Sequence, residues 1–285
     1  MTDALNTRFD VYNGNSSCPS PGSCPASINS VKDVIRPANA DNTKKGCLMD
    51  SKDGWQEVVS GRYEPSSPNT PLATTTTPSA MGHPRDMCHA VSVNGSCTAG
   101  RVGDGLWDRD AYFRVNYRRA GVTPYWKGGT GAGTWQENTG LPANATRYQV
   151  YNWEIARRDQ VIDGVTVLAK TPSSANGNAL AAYGKPQCSA SQGYGPGYVP
   201  GGTIPDRRRI SAAVINCTAQ SVNGNSTNVQ VEKWIELFLV EPSLNRLSGR
   251  TNAGDVYFEL IGETTAGAGA TAGQVVRRDL PYLVK

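Results

Sequence analysis

Histidine is scarce in this sequence: the chain of 285 residues contains only His83 and His89. The motifs that mark a serine nucleophile, a phosphate-binding loop or a helical zinc pair are also missing. His83, Asp86, Cys88 and His89 form one conceivable zinc set, but the proline after His83 and the expected pairing of Cys88 argue against it. The Gly-rich stretch 128–133 follows no predicted strand and is interpreted as a loop. We therefore expect no catalytic residues and a protein that is not an enzyme.

Long apolar segments are missing as well. The best candidate, Trp234 to Val240, has the length of a strand and is interrupted by Glu236, whereas a membrane-spanning helix takes about 20 residues. The first residues lack the basic and apolar parts of a leader. We expect either a chain that is soluble as made or one from which a leader or anchor was removed. Membrane association would then depend on a segment absent from this chain.

Positive charge is not concentrated in any part of the sequence. The formal net charge is +4, and basic pairs at 118–119, 157–158 and 277–278 are far from the basic run at 207–209. A protein that binds nucleic acid more often gathers Lys and Arg on one helix or between aromatic residues. We therefore expect no nucleic-acid partner.

Glycine and proline are abundant, with 31 and 18 residues. Residues 1–100 show almost no periodicity: stretches such as "PSSPNTPLATTTTPSA" are typical of turns and extended loops. The candidate strands there are short, such as Arg8–Tyr12 and Trp55–Val59. The sequence predicts a loop-rich Cys/Pro/Ser/Thr segment at 1–100 that packs on a core domain at 101–285, together forming one globular unit.

The seven cysteines indicate the compartment. They form no C-x-x-C pair, and their scatter through loops is typical of disulfides in an oxidising space. Cys88 and Cys97 flank an Asn94-Gly95 turn signal, which predicts two short strands joined by a disulfide. Cys188 and Cys217 bracket a turn-rich loop and form the second predicted disulfide. The pairing of Cys18, Cys24 and Cys47 stays open, and a cytosolic protein with reduced thiols is the alternative.

Regular periodicity begins after residue 105. Leu106–Arg118 is predicted to be a helix, with Leu106, Asp110, Phe113 and Tyr117 on one face. Thr146–Ile162 is a second candidate, with a buried stripe of Val150, Tyr151, Ile155 and Ile162. Alternating patterns then predict strands within 208–217, 228–242 and 255–263. The buried side of the middle strand is predicted to carry Val229, Val231, Ile235, Leu237 and Leu239, broken by Lys233. Short connections favour an antiparallel meander. The expected fold class is α+β: an antiparallel sheet with helices packed on it.

Three aspartates in "GDGLWDRDAYF" allow different interpretations. Asp104, Asp108 and Asp110 could supply part of a calcium site or, less simply, catalytic carboxylates. Asp104 or Asp108 could instead cap the first turn of the predicted helix. We favour capping, with Trp107 and Phe113 anchoring the helix on the sheet. No cofactor is therefore expected, and calcium is the alternative at these aspartates.

Several segments resemble one known family in their order and spacing. They are "GRVGDGLWDRDAYFRVNY", "TRYQVYNWEI", "PDRRRISAAVINC", "LFLVEP", "DVYFELIG" and "VVRRDLPYLV". Over residues 81–285 this series resembles the C-terminal region of the TadG-like proteins of the Flp/Tad (tight adherence) pilus system. "LNTRFDVYNG" resembles the Cys- and Pro-rich segment that precedes it. The residues that carry the resemblance as a structural motif are Trp107, Tyr112, Phe113, Arg207 and Arg208.

The resemblance implies a non-enzymatic extracytoplasmic protein, periplasmic, displayed on the cell surface or secreted. It would be a structural or adhesive minor component of pilus assembly, with other pilus proteins as partners. The chain lacks the family's N-terminal anchor and the D-x-S-x-S motif of some members, so metal-dependent adhesion of that type is not expected. The alternative is a secreted carbohydrate-binding or glycoside-acting protein that uses Trp107, Trp126, Trp135 and the clustered aspartates as a sugar platform.

Overall fold

The computed structural model describes residues 2–264, apart from 14–23, 38–39, 41–43, 50–51, 59–60, 92–96, 99, 119–125, 176–177, 224–225, 227 and 247–250. The described part mixes short helices with antiparallel sheets, so the α+β class is confirmed. None of the helices in these ranges is long and apolar enough to cross a membrane. The "VVRRDLPYLV" segment and the Asn94-Gly95 turn lie outside the described residues.

The helices in these ranges are short. They are α1 (Thr2–Asn6), α2 (Met87–Ala90), α3 (Arg109–Asn116), α4 (Trp135–Thr139), α5 (Arg147–Arg157) and α6 (Cys188–Ser191), with 3-10 turns at Thr7–Phe9 and Lys44–Cys47. The first predicted strand, Arg8–Tyr12, is therefore wrong, because its first residues form a helical turn that ends at Asp10 with a positive φ of 66°.

Capping side chains fix where the two longest helices begin. Helix α3 starts after Asp108, whose side chain accepts a hydrogen bond from the Ala111 amide at 3.0 Å. Helix α5 starts after Thr146, which exchanges side-chain and backbone hydrogen bonds with Gln149 in a capping box. The second predicted helix ends early, since Ile162 lies in a strand instead.

The strands form three sheets. They are β1 (Val34–Pro37), β2 (Gln56–Glu57), β3 (Val161–Ile162), β4 (Val165–Thr166), β5 (Lys170–Ala175), β6 (Asn178–Tyr183), β7 (Arg209–Val214), β8 (Lys233–Leu239) and β9 (Phe258–Glu263). The sheet orders are β2-β1-β6-β5, β3-β4 and β7-β8-β9, all antiparallel. The predicted meander of the last three strands is confirmed.

The N-terminal residues contribute more structure than their composition suggests. Strand β1 is an inner strand of the four-stranded sheet, paired on one side with β2 and on the other with β6. Val34, Ile35 and Trp55 are fully buried. The segment before residue 100 therefore supplies part of the hydrophobic interior, and it does so through pairings with residues about 145 positions away that no local pattern reveals.

Strand β8 only partly follows the predicted alternation. Leu239 is buried as predicted, but Val231 is exposed and precedes the strand, Ile235 and Leu237 are half-buried, and Glu236 and Phe238 on the other side are buried. The Glu236 carboxylate accepts hydrogen bonds from Arg209 at 2.8 Å and from Ser211 at 2.7 Å on the neighbouring strand. A prediction from apolar residues alone misses Glu236, because it does not include the ion pair with Arg209 that allows this glutamate to be buried.

Aromatic side chains form the main core around α3. Trp107, Tyr112, Phe113, Tyr117, Trp126 and Trp135 are each at most 2% exposed. The Phe113 and Trp135 rings stack with their centroids 4.8 Å apart. Helix α3 therefore packs on α4 and α5, and the prediction that Trp107 and Phe113 anchor it on the late sheet is wrong. The sugar platform proposed for the three tryptophans is also wrong, because buried rings cannot stack on a ligand.

Residues of the Pro/Thr-rich segment cover the other side of α3. The guanidinium of Arg114, which is 3% exposed, donates to the carbonyl oxygens of Leu72, Ala73 and Thr76. Leu106, expected on the buried face, is 47% exposed instead. The helix is thus enclosed on several sides, which a single amphipathic stripe does not predict.

Candidate functional site

The three aspartates of the "GDGLWDRDAYF" motif do not form one site. The Asp104 carboxylate accepts from the Leu106 amide, and Asp110 accepts from the Trp135 indole nitrogen at 2.7 Å. Asp108 is 2% exposed and accepts from the amides of Ala111 and Leu72. Within the described ranges, the acidic, Cys and His groups close enough to share a metal include neither Asp108 nor Asp110. The calcium set is therefore corrected: Asp108 caps α3 and also holds the Leu72 backbone.

One predicted disulfide is confirmed and the other is wrong. Cys88 and Cys97 are bonded, with Cα atoms 4.9 Å apart, although Cys88 lies in α2 rather than in a strand. Cys188 pairs with Cys47, 141 residues away, and Cys217 is free and exposed. Cys24 is also disulfide-bonded, and Cys18 lies outside the described residues.

The Asp10 carboxylate explains why Cys188 faces Cys47. Buried Asp10 accepts hydrogen bonds from the backbone amides of Gln187, Cys188 and Ser189, which fixes the start of α6. Tyr12 lies two residues after Asp10, and its backbone amide donates to the Cys47 carbonyl. The same short segment thus positions both cysteines, whereas Cys217 lies beyond the end of β7. Disulfides of this kind are typical of an oxidising compartment.

The conceivable zinc set is not assembled either. His83 is fully buried and has its own partners, and Cys88 is in a disulfide. Asp86 accepts from the Gly105 amide at 2.8 Å and from the Arg147 guanidinium at 2.5 Å. His89 lies near the oxidised Cys88 and Cys97 sulfurs, which cannot ligate zinc as thiolates while they are bonded. The geometry therefore offers no zinc site at these four residues.

The motif residues instead converge on a buried carboxylate, Glu154, which is 1% exposed. Its Oε1 accepts from the hydroxyls of Tyr112 at 2.5 Å and Tyr117 at 2.8 Å. Its Oε2 accepts from the Asn29 side chain at 2.5 Å, and His83 Nε2 lies 3.5 Å away. Burial raises the pKa of both tyrosines well above the usual value, so they remain hydrogen-bond donors.

A buried guanidinium lies on the other side of His83. Arg208 donates to the carbonyl oxygens of Leu239 at 3.0 Å and Val240 at 2.8 Å, and to His83 Nδ1 at 3.3 Å. Its planar group also packs against the rings of Phe9 and Phe238, each with the centroid 4.5 Å away. Burial lowers the pKa of Arg208 to about 10, which leaves it charged at neutral pH.

The His83 ring lies between Arg208 and Glu154, and these two neighbours select one of its tautomers. Burial lowers the pKa of His83, so its ring is neutral at pH 7. Because Nδ1 accepts from Arg208, the ring proton is on Nε2 and points toward Glu154. We call Asn29, His83, Tyr112, Tyr117, Glu154 and Arg208 the buried polar network. All six side chains are buried, and their contacts link α3, α5 and the late strands.

Sequence reasoning missed Glu154, although a signal was present. Glu154 follows Val150 by four positions, and Val150 is on the predicted buried stripe of the second helix. A charged residue at a buried helical position is the pattern that could have indicated an ion-pair network.

Arg207, the basic residue before Arg208 in "PDRRRISAAVINC", donates to the Pro25 carbonyl at 2.7 Å. This hydrogen bond joins the N-terminal segment to the residues just before β7.

A solvent-accessible cleft of about 290 Å³ lies beside the start of the "GDGLWDRDAYF" motif. It lies between α2, the loop at 101–103, the first turn of α5 and the segment 254–258. Its floor is Arg147, which donates to Asp86 at 2.5 Å and to Glu259 at 3.0 Å. A Cβ at Gly103 would lie 1.9 Å from the Asp86 carboxylate, so glycine is needed there.

One wall of this cleft is built on Tyr257. The Arg85 guanidinium lies over its ring at 4.2 Å and donates to Glu241 at 2.6 Å. The His89 ring meets the Tyr257 ring edge with the centroids 5.9 Å apart. At the rim, Arg101 is exposed and, within the described ranges, has neither a hydrogen bond nor an ion pair. No local pattern in the sequence predicts this cleft, because the residues that line it are up to 173 positions apart.

Comparisons with protein-family models, curated proteins and solved structures find no match to this chain.

Proposed function

We propose that this protein is a non-enzymatic, extracytoplasmic structural or adhesive component of a Tad-type pilus or of its assembly apparatus. The proposal extends the resemblance of its motif series to TadG-like proteins. One observation carries the structural part: residues from three separate motifs meet in the buried polar network, and a fourth motif bonds to it. Tyr112, Glu154 and Arg208 come from different segments, and Arg208 donates to the carbonyl of Val240 in the fourth. Their chemistry is used up in holding the fold, which is the pattern of a scaffold rather than of an open reaction site.

The disulfides support the extracytoplasmic part of the proposal. Cys47–Cys188 and Cys88–Cys97 cross-link a chain that is rich in loops, and such bonds persist in oxidising compartments. Thiol labelling of intact and lysed cells under non-reducing conditions tests this directly. Among the described cysteines, only Cys217 should react with the label. The labelled peptide that contains residue 217 should be missing in Cys217→Ser. Labelling of Cys47 and Cys188 without a reductant would contradict the assignment.

The pilus assignment needs its own experiment. Tagged full-length protein, cross-linked in its native cell and purified, should recover pilin or pilus-assembly proteins. The matched control is the same bait in cells that lack the pilin gene, in which co-purified pilin must disappear. Deletion of the protein should also reduce piliation or adherence. Recovery of no pilus component together with unchanged piliation and adherence would refute the proposal.

A further inference from the structure

We propose that the cleft beside Tyr257 binds a sugar that carries a single carboxylate, such as a hexuronic acid residue of an acidic glycan. This inference extends the adhesive part of the proposed function, and the two can fail separately. The cleft volume of about 290 Å³ lies just below the usual range for ligand pockets, about 300 to 1,000 Å³. That space suits one or two sugar rings.

The cation that selects the ligand is Arg101. Arg85 is neutralised by Glu241, and Arg147 by Asp86 and Glu259, so these two arginines form the fixed frame of the cleft. Arg101 is exposed at the rim and has no such partner among the described residues. A guanidinium binds a carboxylate through two parallel hydrogen bonds. Arg101 is therefore the group that would take the acid of the sugar.

Carboxylates in the same cleft favour a ligand that also donates hydrogen bonds. Asp255 is half-buried, and its Oδ2 accepts from the Asn252 amide, while its Oδ1 has no partner within the described ranges. Each carboxylate oxygen of Asp86 accepts one hydrogen bond, from the Gly105 amide and from Arg147. A carboxylate oxygen can accept two, so Asp86 can accept further hydrogen bonds from a ligand. Sugar hydroxyls can donate to both carboxylates. A phosphate or sulfate group has no comparable donors, so nothing in it would offset the repulsion by Asp86 and Asp255.

Apolar and aromatic groups complete the match to a sugar ring. Val240, Val256, Tyr257 and Phe258 contribute to the lining, and Phe258 is 39% exposed. The C–H face of a pyranose can pack on such a surface while its hydroxyls reach the polar side. Arg85 and Arg147 are both ion-paired with carboxylates. The cleft therefore lacks the excess positive charge that a polyanion such as nucleic acid needs.

Calorimetric titration of the full-length protein tests the inference. The probes are a methyl hexuronide and a uronate-containing disaccharide, compared with the same sugars in which the carboxylate is reduced to an alcohol. We expect saturable binding of the acidic sugars and binding at least about tenfold weaker for the reduced ones, as for loss of one charge-assisted interaction. Arg101→Ala should weaken binding of the acidic sugars by a similar factor, and Arg101→Lys should retain part of it.

Arg157→Ala is the matched control. Arg157 is an exposed arginine at the far end of α5, about 15 Å along the helix from Arg147. This variant should bind the acidic sugars as the wild type does, with an unchanged circular dichroism spectrum in all variants. Absence of saturable binding, equal binding of the reduced sugars, equal or tighter binding of a glutamyl dipeptide, or equal loss in Arg157→Ala would overturn the inference. None of these results would bear on co-purification with pilus proteins.

Discussion

Glu154→Gln tests the buried polar network most directly, because it keeps the shape of the side chain and removes its charge and one acceptor oxygen. In the wild type, the hydroxyls of Tyr112 and Tyr117 share Oε1, while Asn29 donates to Oε2 and His83 Nε2 lies nearby. Glutamine has a single acceptor oxygen. Whichever way its amide is turned, its NH₂ group faces donors that have lost their acceptor.

The expected loss of stability is large. If the new oxygen faces the two tyrosines, Asn29 and the His83 Nε2–H face a donor. Asn29 cannot simply turn its amide, since its Oδ1 already accepts from the Val31 amide. Each buried donor left unsatisfied costs about 1 to 3 kcal/mol, and Arg208 loses a nearby carboxylate as well. We expect about 3 to 5 kcal/mol in total, as for a broken buried charge pair, against a usual stability of about 5 to 15 kcal/mol.

Urea denaturation followed by tryptophan fluorescence and by circular dichroism measures this change. Glu232→Gln is the matched control, because Glu232 is exposed and the same substitution there should alter stability by less than about 0.5 kcal/mol. Tyr117→Phe should be milder than Glu154→Gln, since it removes one donor and leaves the carboxylate three neighbours. If Glu154→Gln cost less than about 1 kcal/mol, the buried network as described would not exist in solution.

Three further predictions concern the disulfide, the helix cap and a buried lysine. Replacing Cys47 and Cys188 by serine should lower stability by about 2 to 5 kcal/mol, measured by denaturation without a reductant. Asp108→Ala should cost about 0.5 to 2 kcal/mol, with a melting temperature that does not depend on added calcium. Burial lowers the pKa of Lys32 to about 7 from 10.5, so between these values the unfolded chain holds a proton that the folded chain lacks. Stability should therefore rise with pH across that window, by up to about 1.4 kcal/mol per unit, and Lys32→Met should remove this contribution.

Each of these predictions has a control that separates it from a general effect of mutation. Cys217→Ser removes an exposed free thiol and should leave stability unchanged. A calcium-dependent rise in melting temperature that Asp104→Ala abolishes would restore the metal interpretation of the aspartates. For Lys32, denaturation midpoints of wild type and variant are compared between pH 7.5 and 9.5, a range of about two units inside the window. Parallel curves would mean that Lys32 keeps its proton in the folded state.

The sequence predicts local features well because they depend on neighbours along the chain. The capping of α3 by Asp104 or Asp108, a helix that begins near Thr146 and the meander of β7, β8 and β9 were each predicted from residues close together in the sequence. The Cys88–Cys97 disulfide belongs to the same class, since its cysteines are nine positions apart. Hydrogen-bond capping and short hairpin connections leave few alternatives at this range.

Tertiary structure decided the features that join distant segments. The partner of Cys188 depends on Asp10, the burial of Glu236 in β8 depends on hydrogen bonds from Arg209 and Ser211, and the inner position of β1 depends on its pairing with β6. In each case polar groups of a side chain or of the backbone are buried because groups in another segment satisfy them, and apolar periodicity carries no record of those partners. The cleft at Tyr257 has the same origin: its walls come from segments about 170 residues apart, so only the folded chain creates it.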